Sequence, residues 1–326
     1  MLGASHSLFP PFPFPHSPVR SLRLLPASEQ GMSDAWTFGR LLNWTTEHFA
    51  ALNEAEDAAT RVDAEVLLAH ARGCQRIELY TVFDEPAPDA IRDRFKQLVQ
   101  RRATGEPVAY LVGEKEFYSL KFEVSRDTLI PRPETESIIV RLTDLAKVAD
   151  GSGDAPLKIC DVGTGSGILA ICAAKYLKSA NVLATDISPA ALEVAKRNAE
   201  RHGVADRTFF VEADLFPADK PAMGLDYIIS NPPYITSQEM TELPASVADY
   251  EPHTALDGGA EGTTLIERLL DAATRQLKPD GVLLMEISPM IAERVEQLVT
   301  ATEGLQLQPT IKDLAGHKRI VEASRG

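Results

Sequence analysis

The chain has 326 residues, of which 44% are hydrophobic and 25% are charged, and its formal net charge is −14. This composition is typical of a globular protein longer than one average domain, and no apolar run approaches the roughly 18 residues of a membrane span. The lack of such a run predicts no membrane association. The acidic balance argues against a broad basic surface, so we expect no direct nucleic-acid binding.

The cysteines and histidines show no metal-binding pattern. The three cysteines, Cys74, Cys160 and Cys172, are scattered along the chain, which is typical of reduced thiols in a cytoplasmic protein. The histidines have no paired ligand spacing either, so we predict no metal site.

Residues 1–31 contain six prolines and a single acidic residue, Glu29. They show no helical or strand period, which predicts a disordered extension. The extension is either an organelle-targeting leader or a segment upstream of a true start at Met32. Its prolines disfavour an amphipathic targeting helix and favour the second interpretation.

Residues 32–107 are predicted to form a small all-α domain. Apolar residues recur at helical spacing from Thr37 to Leu52, from Val62 to Gly73 and from Asp89 to Arg102. Such a bundle either serves as a scaffold or docks a macromolecular partner, and the helical pattern alone does not choose between the two.

A β-hairpin linker is predicted over residues 108–128. Between Val108 and Val124 the pattern changes to alternation with aromatic residues, which favours paired strands. The next segment, Ile130 to Glu136, ends in a helix start, because Pro133 suits a first helical turn.

From residue 129 to residue 326, predicted strands alternate with predicted helices. The strands are expected at 157–162, 182–187, 208–211, 225–230 and 281–287, with a closing hairpin formed by 305–311 and 319–323. This alternation predicts an α/β fold in which helices cover both faces of a mostly parallel sheet.

A glycine-rich loop, Asp161-Val162-Gly163-Thr164-Gly165-Ser166-Gly167, follows the first of these strands and opens its helix. Its glycines allow positive φ and the close approach of a ligand, and a helix N-terminus favours a negative group. The loop also satisfies a looser dinucleotide pattern, so an adenosyl ligand and a nicotinamide cofactor both have to be weighed.

Acidic residues end the next two strands. Asp186 is placed to accept hydrogen bonds from two ribose hydroxyls. Asp214 is placed to meet an adenine amino group, and Leu215 to cover the ring. One such acid is more often a strand-end cap, but Asp161, Asp186 and Asp214 at successive strand ends together indicate a nucleoside site.

The tetrad Asn231-Pro232-Pro233-Tyr234 ends the fourth strand, because two prolines cannot continue a sheet ladder. Asn231 offers an acceptor oxygen and two N–H donors, Pro232 a carbonyl, and Tyr234 an aromatic face, which together suit a planar NH₂ group. A dehydrogenase needs a titratable group beside the carbon that receives hydride, and Asn231 does not titrate. The tetrad therefore favours methyl transfer to a planar nitrogen.

The glycine loop, Asp186 and the tetrad resemble those of the class I S-adenosylmethionine-dependent methyltransferases that modify exocyclic or amide nitrogens. This resemblance implies a Rossmann-like fold with a mostly parallel seven-stranded sheet. It also implies S-adenosyl-L-methionine as the cofactor and S-adenosyl-L-homocysteine as the product.

Segments outside these motifs narrow the resemblance. They are Asp63-Ala64-Glu65, Arg101-Arg102, Gly105 to Leu111, Leu129 to Glu136, Glu251-Pro252 and Ala255 to Gly259. Together they resemble the HemK/PrmC family, the glutamine-N5 methyltransferases of peptide chain release factors. The resemblance runs from about Met32 to Val321 and leaves residues 1–31 outside it.

The family resemblance implies that residues 32–107 dock a release factor and that a methyltransferase domain, 129–326, methylates the glutamine of its Gly-Gly-Gln loop. The implied cofactor contacts are Gly163, Thr164, Gly165, Ser166, Gly167, Asp186 and Asn231, with Asp214 and Leu215 added from strand position. The implied glutamine contacts are Asn231, Pro232, Pro233 and Tyr234, of which Asn231, Pro232 and Tyr234 are predicted to be catalytic. Leu215 departs from relatives that carry an aromatic residue there.

Three alternatives stay open. A nucleic-acid methyltransferase would show a basic groove, which this acidic chain does not predict. A non-catalytic adapter would not need an intact tetrad beside an intact loop. A glutamine methyltransferase of a ribosomal protein would share the chemistry but not the docking surface.

We expect a monomer, and we expect residues 238–262 to form either a lid or a plain surface loop.

Overall fold

The structure is a computed structural model that describes residues 36–52, 57–149, 156–220 and 222–326. The predictions for residues 1–31 and for a start at Met32 lie outside the described residues. The features below belong to one compact unit, Trp36–Gly326.

The N-terminal part is helical, as predicted. Its helices are α1 (Phe38–Leu52), α2 (Asp57–Arg72), α3 (Asp89–Ala103) and α4 (Val108–Val112), with a 3₁₀ helix at Arg76–Val82. They share one apolar core that includes the buried side chains of Leu42, Leu67, Leu79 and Phe95.

The predicted hairpin is present but shorter. Its strands, β1 (Glu114–Phe117) and β2 (Leu120–Glu123), pair antiparallel. The prediction of extended structure from Val108 is wrong, because Val108–Val112 is the helix α4, which Gly113 ends with a φ of 76°. A five-residue apolar run has no period that separates a buried helix from a strand.

The rest of the chain builds a mostly parallel sheet, as predicted. Its strands are β3 (Lys158–Val162), β4 (Asn181–Asp186), β5 (Thr208–Glu212), β6 (Leu225–Ser230), β7 (Leu277–Glu286), β8 (Leu305–Leu307), β9 (Ile311–Lys312) and β10 (Lys318–Arg325). Seven strands follow the order β5-β4-β3-β6-β7-β10-β8, and β9 adds a short eighth strand beside β10. Strands β3 to β7 pair in parallel, whereas β10 is antiparallel to its neighbours.

Helices cover both faces of this sheet. They are α5 (Glu136–Ala149), α6 (Ile168–Tyr176), α7 (Pro189–His202), α9 (Thr264–Gln276) and α10 (Ala292–Ala301), and the short α8 (Ala245–Ala248) lies between β6 and α9. Neighbouring strand residues face opposite cores: Ile229 packs with α5, α6 and α7, and Ile228 with α9 and α10. In the described part of the chain, no helix combines the length and apolar character needed to cross a membrane.

The strand order reverses in the middle of the sheet. The chain runs from β3 outward to β4 and β5 on one side, and β6 and β7 lie on the other side. In open α/β sheets, ligands bind at the carboxyl ends of the strands where the order reverses. The topology therefore places a site above the ends of β3 and β6.

The three cysteines are free thiols with different surroundings. Cys160 and Cys172 are fully buried in the cores of the sheet, and burial raises the pKa of both thiols. Cys74, which follows α2, is partly exposed.

Candidate active site

A cleft of about 570 Å³ opens at the carboxyl ends of β3, β4, β5 and β6. Its volume is within the range of about 300–1,000 Å³ that is common for small-molecule sites. Most of the predicted site residues line it: Gly163, Thr164, Gly165, Ser166, Asp186, Asp214, Leu215, Asn231 and Pro233. The structure therefore brings together residues that the sequence spreads over four strand ends.

The glycine loop is fixed by backbone hydrogen bonds to β4. The N–H groups of Gly163 and Thr164 both donate to the Thr185 carbonyl at 2.9 Å, and the Gly165 N–H donates to the Asp186 carboxylate at 2.8 Å. Gly163 and Gly165 have φ values of 72° and 55°, which L side chains rarely adopt. A Cβ on either would meet no atom within 4 Å, so the loop leaves open space for a ligand.

Gly167 lies outside the lining of the cleft and serves the packing of two helices. A Cβ at this position would lie 2.9 Å from the Ile171 side chain and 3.1 Å from the Ala195 Cβ. Only glycine lets α6 and α7 approach this closely. A direct contact of Gly167 with the cofactor stays a prediction.

Asp161 lies fully buried beneath the loop. Its Oδ2 accepts hydrogen bonds from the Thr164 hydroxyl at 2.7 Å and the Ala170 N–H at 3.0 Å. Its Oδ1 has no hydrogen-bond partner among the described residues. Burial, with a smaller contribution from the charge of Asp186, raises the pKa of Asp161 to about 7.

We expect Asp161→Asn to remove part of the pH dependence of stability. Asp161 titrates at 3.8 when unfolded and at about 7 when folded, so the native state binds the extra proton between these values. Its contribution is therefore fully present below pH 3.8 and is lost as pH rises through about 7, at about 1.4 kcal/mol per pH unit.

The measurement is urea unfolding of the cofactor-free protein at pH 5 and pH 7. Wild type should lose more unfolding free energy over this interval than Asp161→Asn, in which an amide oxygen can still accept from Thr164 and Ala170. Equal losses in the two proteins would contradict the assignment.

The acids of the next strand ends occupy different environments. Each oxygen of Asp186 accepts one backbone N–H, from Gly165 and from Ser188, and each keeps a lone pair for a ligand. Asp214 is exposed and pairs with Arg268 at 2.7 Å across the cleft lining. Leu215 has a φ of 71°, and its carbonyl accepts the Thr185 hydroxyl.

Asn231 stands beside the glycine loop. Val162 pairs with Ser230 in the parallel ladder of β3 and β6, so the residues that follow the two strands are neighbours at the same sheet edge. The Asn231 Nδ2 donates to the Thr135 hydroxyl at 3.2 Å. The remaining hydrogen-bonding capacity of its carboxamide is free to serve the cleft.

The other tetrad residues separate into two groups. Pro233 lines the cleft, whereas Pro232 is buried and Tyr234 packs against the apolar core that includes residues of β6, β7 and α9. The Tyr234 hydroxyl donates to Glu286 Oε1 at 3.1 Å. Burial and the nearby Glu286 charge raise the pKa of Tyr234, so the ring stays neutral.

Three residues that contact or brace this region were not predicted as site residues: Thr135, Glu251 and Glu286. Glu251 is buried and accepts hydrogen bonds from Arg132 at 2.6 Å and from the Ile130 N–H at 3.1 Å. Glu286 ends the apolar run of β7 and is only 1% exposed. A single acid in an apolar run points to a buried carboxyl that needs a partner, and this is the sequence signal by which Glu286 could be found.

The segment 238–262 forms one wall of the cleft. Pro252, His253, Thr254, Ala255, Asp257 and Gly259 line the cavity. Backbone bonds from Gly258 to Ile235 and from Ser237 to Gly259 attach the wall to the chain that leaves the tetrad. A closing motion of this segment stays a prediction.

In the described part of the chain, no group of three or more His, Cys, Asp or Glu side chains is placed to hold a metal ion. The polar groups of the cleft are carboxylates, amides and hydroxyls, which suit an organic ligand that carries hydroxyl and amino groups.

Two different family models match the helical part and the sheet-containing part of the chain. Residues 41–113 match a family model described as the PrmC N-terminal domain, and residues 142–249 match the model of ribosomal protein L11 methyltransferase (PrmA). Among solved structures, a ribosomal protein L11 methylase from Lactobacillus delbrueckii subsp. bulgaricus is similar, with 22% identity over 60% of this chain and 80% of that chain, and a TM-score of 0.41.

Curated relatives match over nearly the whole chain. A release factor glutamine methyltransferase of Rhodopirellula baltica is 44% identical over 298 residues, which cover 91% of this chain and 99% of the relative. The chain belongs to the release factor glutamine methyltransferase family. A second member, from Nitratidesulfovibrio vulgaris, is 41% identical over 84% of this chain and 91% of its own length. The family resemblance predicted from the sequence motifs is confirmed, and with it the enzyme class.

Proposed function

We propose that this member of the release factor glutamine methyltransferase family methylates the side-chain amide nitrogen, N5, of the glutamine in the Gly-Gly-Gln loop of peptide chain release factors. The observation that carries the proposal is the pairing of Val162 with Ser230, which sets the glycine loop and Asn231 side by side in one cleft. A methyl donor on the loop and a carboxamide on Asn231 would then be neighbours.

The cleft fits S-adenosyl-L-methionine, which when bound supplies an electrophilic methyl group on a sulfonium ion. Asp186 has lone pairs left for ribose hydroxyls, and Asp214 and Leu215 line the part of the cleft assigned to adenine. The carboxylates that line the cleft favour a positively charged ligand. The product left after transfer is S-adenosyl-L-homocysteine.

The tetrad aligns the nitrogen of the glutamine side chain with the methyl group of the donor. An amide nitrogen is a poor nucleophile because its lone pair is delocalised into the carbonyl. Asn231 Oδ1 accepts one glutamine N–H, and the second is assigned to the carbonyl of Pro232, which is buried outside the cleft lining between Asn231 and Pro233. Two such contacts would direct the lone pair and stabilise positive charge that develops on nitrogen. The nitrogen gains a methyl group and then releases one proton to solvent, so no general base is needed before transfer.

Stacking of Tyr234 on the glutamine stays a prediction. The ring packs against the core and is held by its hydrogen bond to Glu286. Tyr234 can contribute to glutamine binding only if the face of its ring meets the substrate beside Pro233. A cation–π contact of the ring with the positive charge that develops on the glutamine nitrogen would contribute about 0.5 to 2 kcal/mol.

The helical part, which matches the PrmC N-terminal domain, is assigned to docking of the release factor. The formal net charge of −14 supports a protein partner over direct contact with nucleic acid. Free thiols support a cytoplasmic location. We propose that the chain acts there as a monomer.

A second candidate substrate is a ribosomal protein, because residues 142–249 match the ribosomal protein L11 methyltransferase model. The match of residues 41–113 to the PrmC N-terminal domain favours the release factor. Both candidates use the same cleft and differ in the surface that docks the substrate.

The test is incubation with methyl-labelled S-adenosyl-L-methionine and one candidate substrate at a time, followed by mass mapping of the label. The candidates are a release factor, the same factor with the glutamine of its Gly-Gly-Gln loop changed to alanine, ribosomal protein L11 and transfer RNA. We expect label only on the glutamine of the unchanged release factor. Label on ribosomal protein L11 would transfer the proposal to the second candidate, and label on a nucleobase would overturn both.

A further inference from the structure

Glu286 is a buried carboxylate directly behind the tetrad. It is the last residue of β7, whose neighbour Met285 pairs with Ser230 of β6, and it is only 1% exposed. Its Oε1 accepts the Tyr234 hydroxyl at 3.1 Å, while its Oε2 has no hydrogen-bond partner among the described residues. A buried acceptor without a donor is costly, so this oxygen calls for a neighbouring donor.

Thr135 is the neighbour with a donor to give. It is fully buried, and its hydroxyl oxygen already accepts an N–H from Asn231, which leaves the hydroxyl hydrogen to find an acceptor. Burial raises the pKa of the Glu286 carboxyl, and the hydroxyls of Thr135 and Tyr234 act in the opposite direction. The Thr135 hydroxyl is therefore a neighbour of the Glu286 carboxyl.

The direction of each hydrogen bond follows from the chemistry of the groups. The Thr135 oxygen accepts from the Asn231 Nδ2, so the hydrogen of the Thr135 hydroxyl is the donor left for the unpartnered Oε2 of Glu286. Asn231 then turns its NH₂ group toward Thr135 and its Oδ1 away from it. The reverse orientation would present an NH₂ group to the NH₂ group of a glutamine, with donor facing donor.

We propose that Glu286 and Thr135 are positioning residues that fix which end of the Asn231 carboxamide faces the substrate. Glu286 sets the direction of the Thr135 hydroxyl, and Thr135 sets the orientation of the amide. The inference rests on the proposed function in one respect, because Oδ1 matters for catalysis only if the substrate offers an N–H donor.

Thr135→Val tests the link, since valine keeps the shape and removes the hydroxyl. We expect kcat to fall roughly 10- to 100-fold, as for a misoriented catalytic group, while the dissociation constant of S-adenosyl-L-methionine changes less than about twofold. Thr135→Ser restores the hydroxyl and should recover most of kcat. Glu286→Gln should also lower kcat. The NH₂ group of the glutamine can donate to Thr135, which would reverse the direction of the hydrogen bonds that link residue 286, Thr135 and Asn231.

Thr208→Val is the matched control. Thr208 is a buried threonine at the start of β5, and its hydroxyl donates to the Val204 carbonyl away from the cleft. This variant should keep the wild-type kcat. Wild-type kcat in Thr135→Val would overturn the proposal, as would a Thr135→Ser variant as slow as Thr135→Val with an equally lowered melting temperature.

A second readout needs no substrate. Nuclear magnetic resonance of the Asn231 side-chain NH₂ should show slow hydrogen exchange in wild type and Thr135→Ser, and faster exchange in Thr135→Val. If wild type shows this protection but does not methylate release factors, the proposed function fails and the orientation stands. If the protection is equal in Thr135→Val, the orientation itself is wrong.

Discussion

Asn231→Ala is expected to lower the rate of glutamine methylation by roughly 10²-fold or more, as for the loss of one preorganised polar contact. The side chain stands at the edge of the cleft beside the glycine loop and is held by Thr135. Alanine removes the oxygen that would accept the glutamine N–H, so the amide loses its alignment. Rates are to be measured under single turnover with a release factor and saturating S-adenosyl-L-methionine.

Cofactor affinity and an unrelated asparagine provide the controls. The dissociation constant of S-adenosyl-L-methionine should change far less than the rate, because the loop, Asp186 and Asp214 are untouched. Asn181→Ala, at the exposed start of β4, should keep the wild-type rate. A near-normal rate in Asn231→Ala would remove alignment by this residue from the mechanism.

Gly262→Ala is expected to destabilise the protein by about 3 kcal/mol or more and to reduce methylation with it. Gly262 has a φ of 69°, and a Cβ there would lie 2.5 Å from the Tyr234 carbonyl oxygen. The backbone atom cannot yield without moving the tetrad. The loss therefore combines backbone strain with displacement of the site.

Gly203→Ala separates these two effects. Gly203 ends α7 with a φ of 67°, and a Cβ there meets no atom within 4 Å. It should cost only about 1 to 2 kcal/mol from the left-handed conformation and leave methylation unchanged. Urea unfolding and single-turnover rates of both variants make the comparison, and equal effects would show that the contact with Tyr234 is unimportant.

Strand ends were the part of the site that the sequence could predict. Two prolines after Ile228 and Ile229 mark the end of β6, and glycines mark the end of β3, so the residues at the sheet edge could be named directly. The sheet itself followed from apolar runs, because strands buried on both faces are continuously hydrophobic. The insertion of β10 between β7 and β8 has no comparable local signal.

The support behind the tetrad could not be predicted because it depends on distant contacts. Thr135 precedes Asn231 by 96 residues and meets it only in the folded protein. Its segment predicts a helix start and contributes to the family resemblance, but neither observation predicts a contact with Asn231. The Pro133–Thr135 turn does precede α5. Glu286 lay inside a predicted strand, whose apolar neighbours conceal a polar role until the position of Tyr234 is known.

The sequence does not predict the helix α4, and the reason is local. Val108–Val112 is a short apolar run whose β-branched and aromatic residues favour a strand. Pro107 at its start and Gly113 in the left-handed region at its end are the signals of a helix. The match to the PrmC N-terminal domain extends through residue 113 and so includes this turn.

The three thiols differ in exposure, and this difference can be used to measure the binding of a partner. Cys160 and Cys172 are sealed inside the sheet cores, whereas Cys74 follows α2 in the helical part and is partly accessible. A maleimide dye added to the native, unmutated protein should therefore attach at Cys74. A release factor that docks on the helices, as proposed, would then change the fluorescence of the dye before any methyl group has moved.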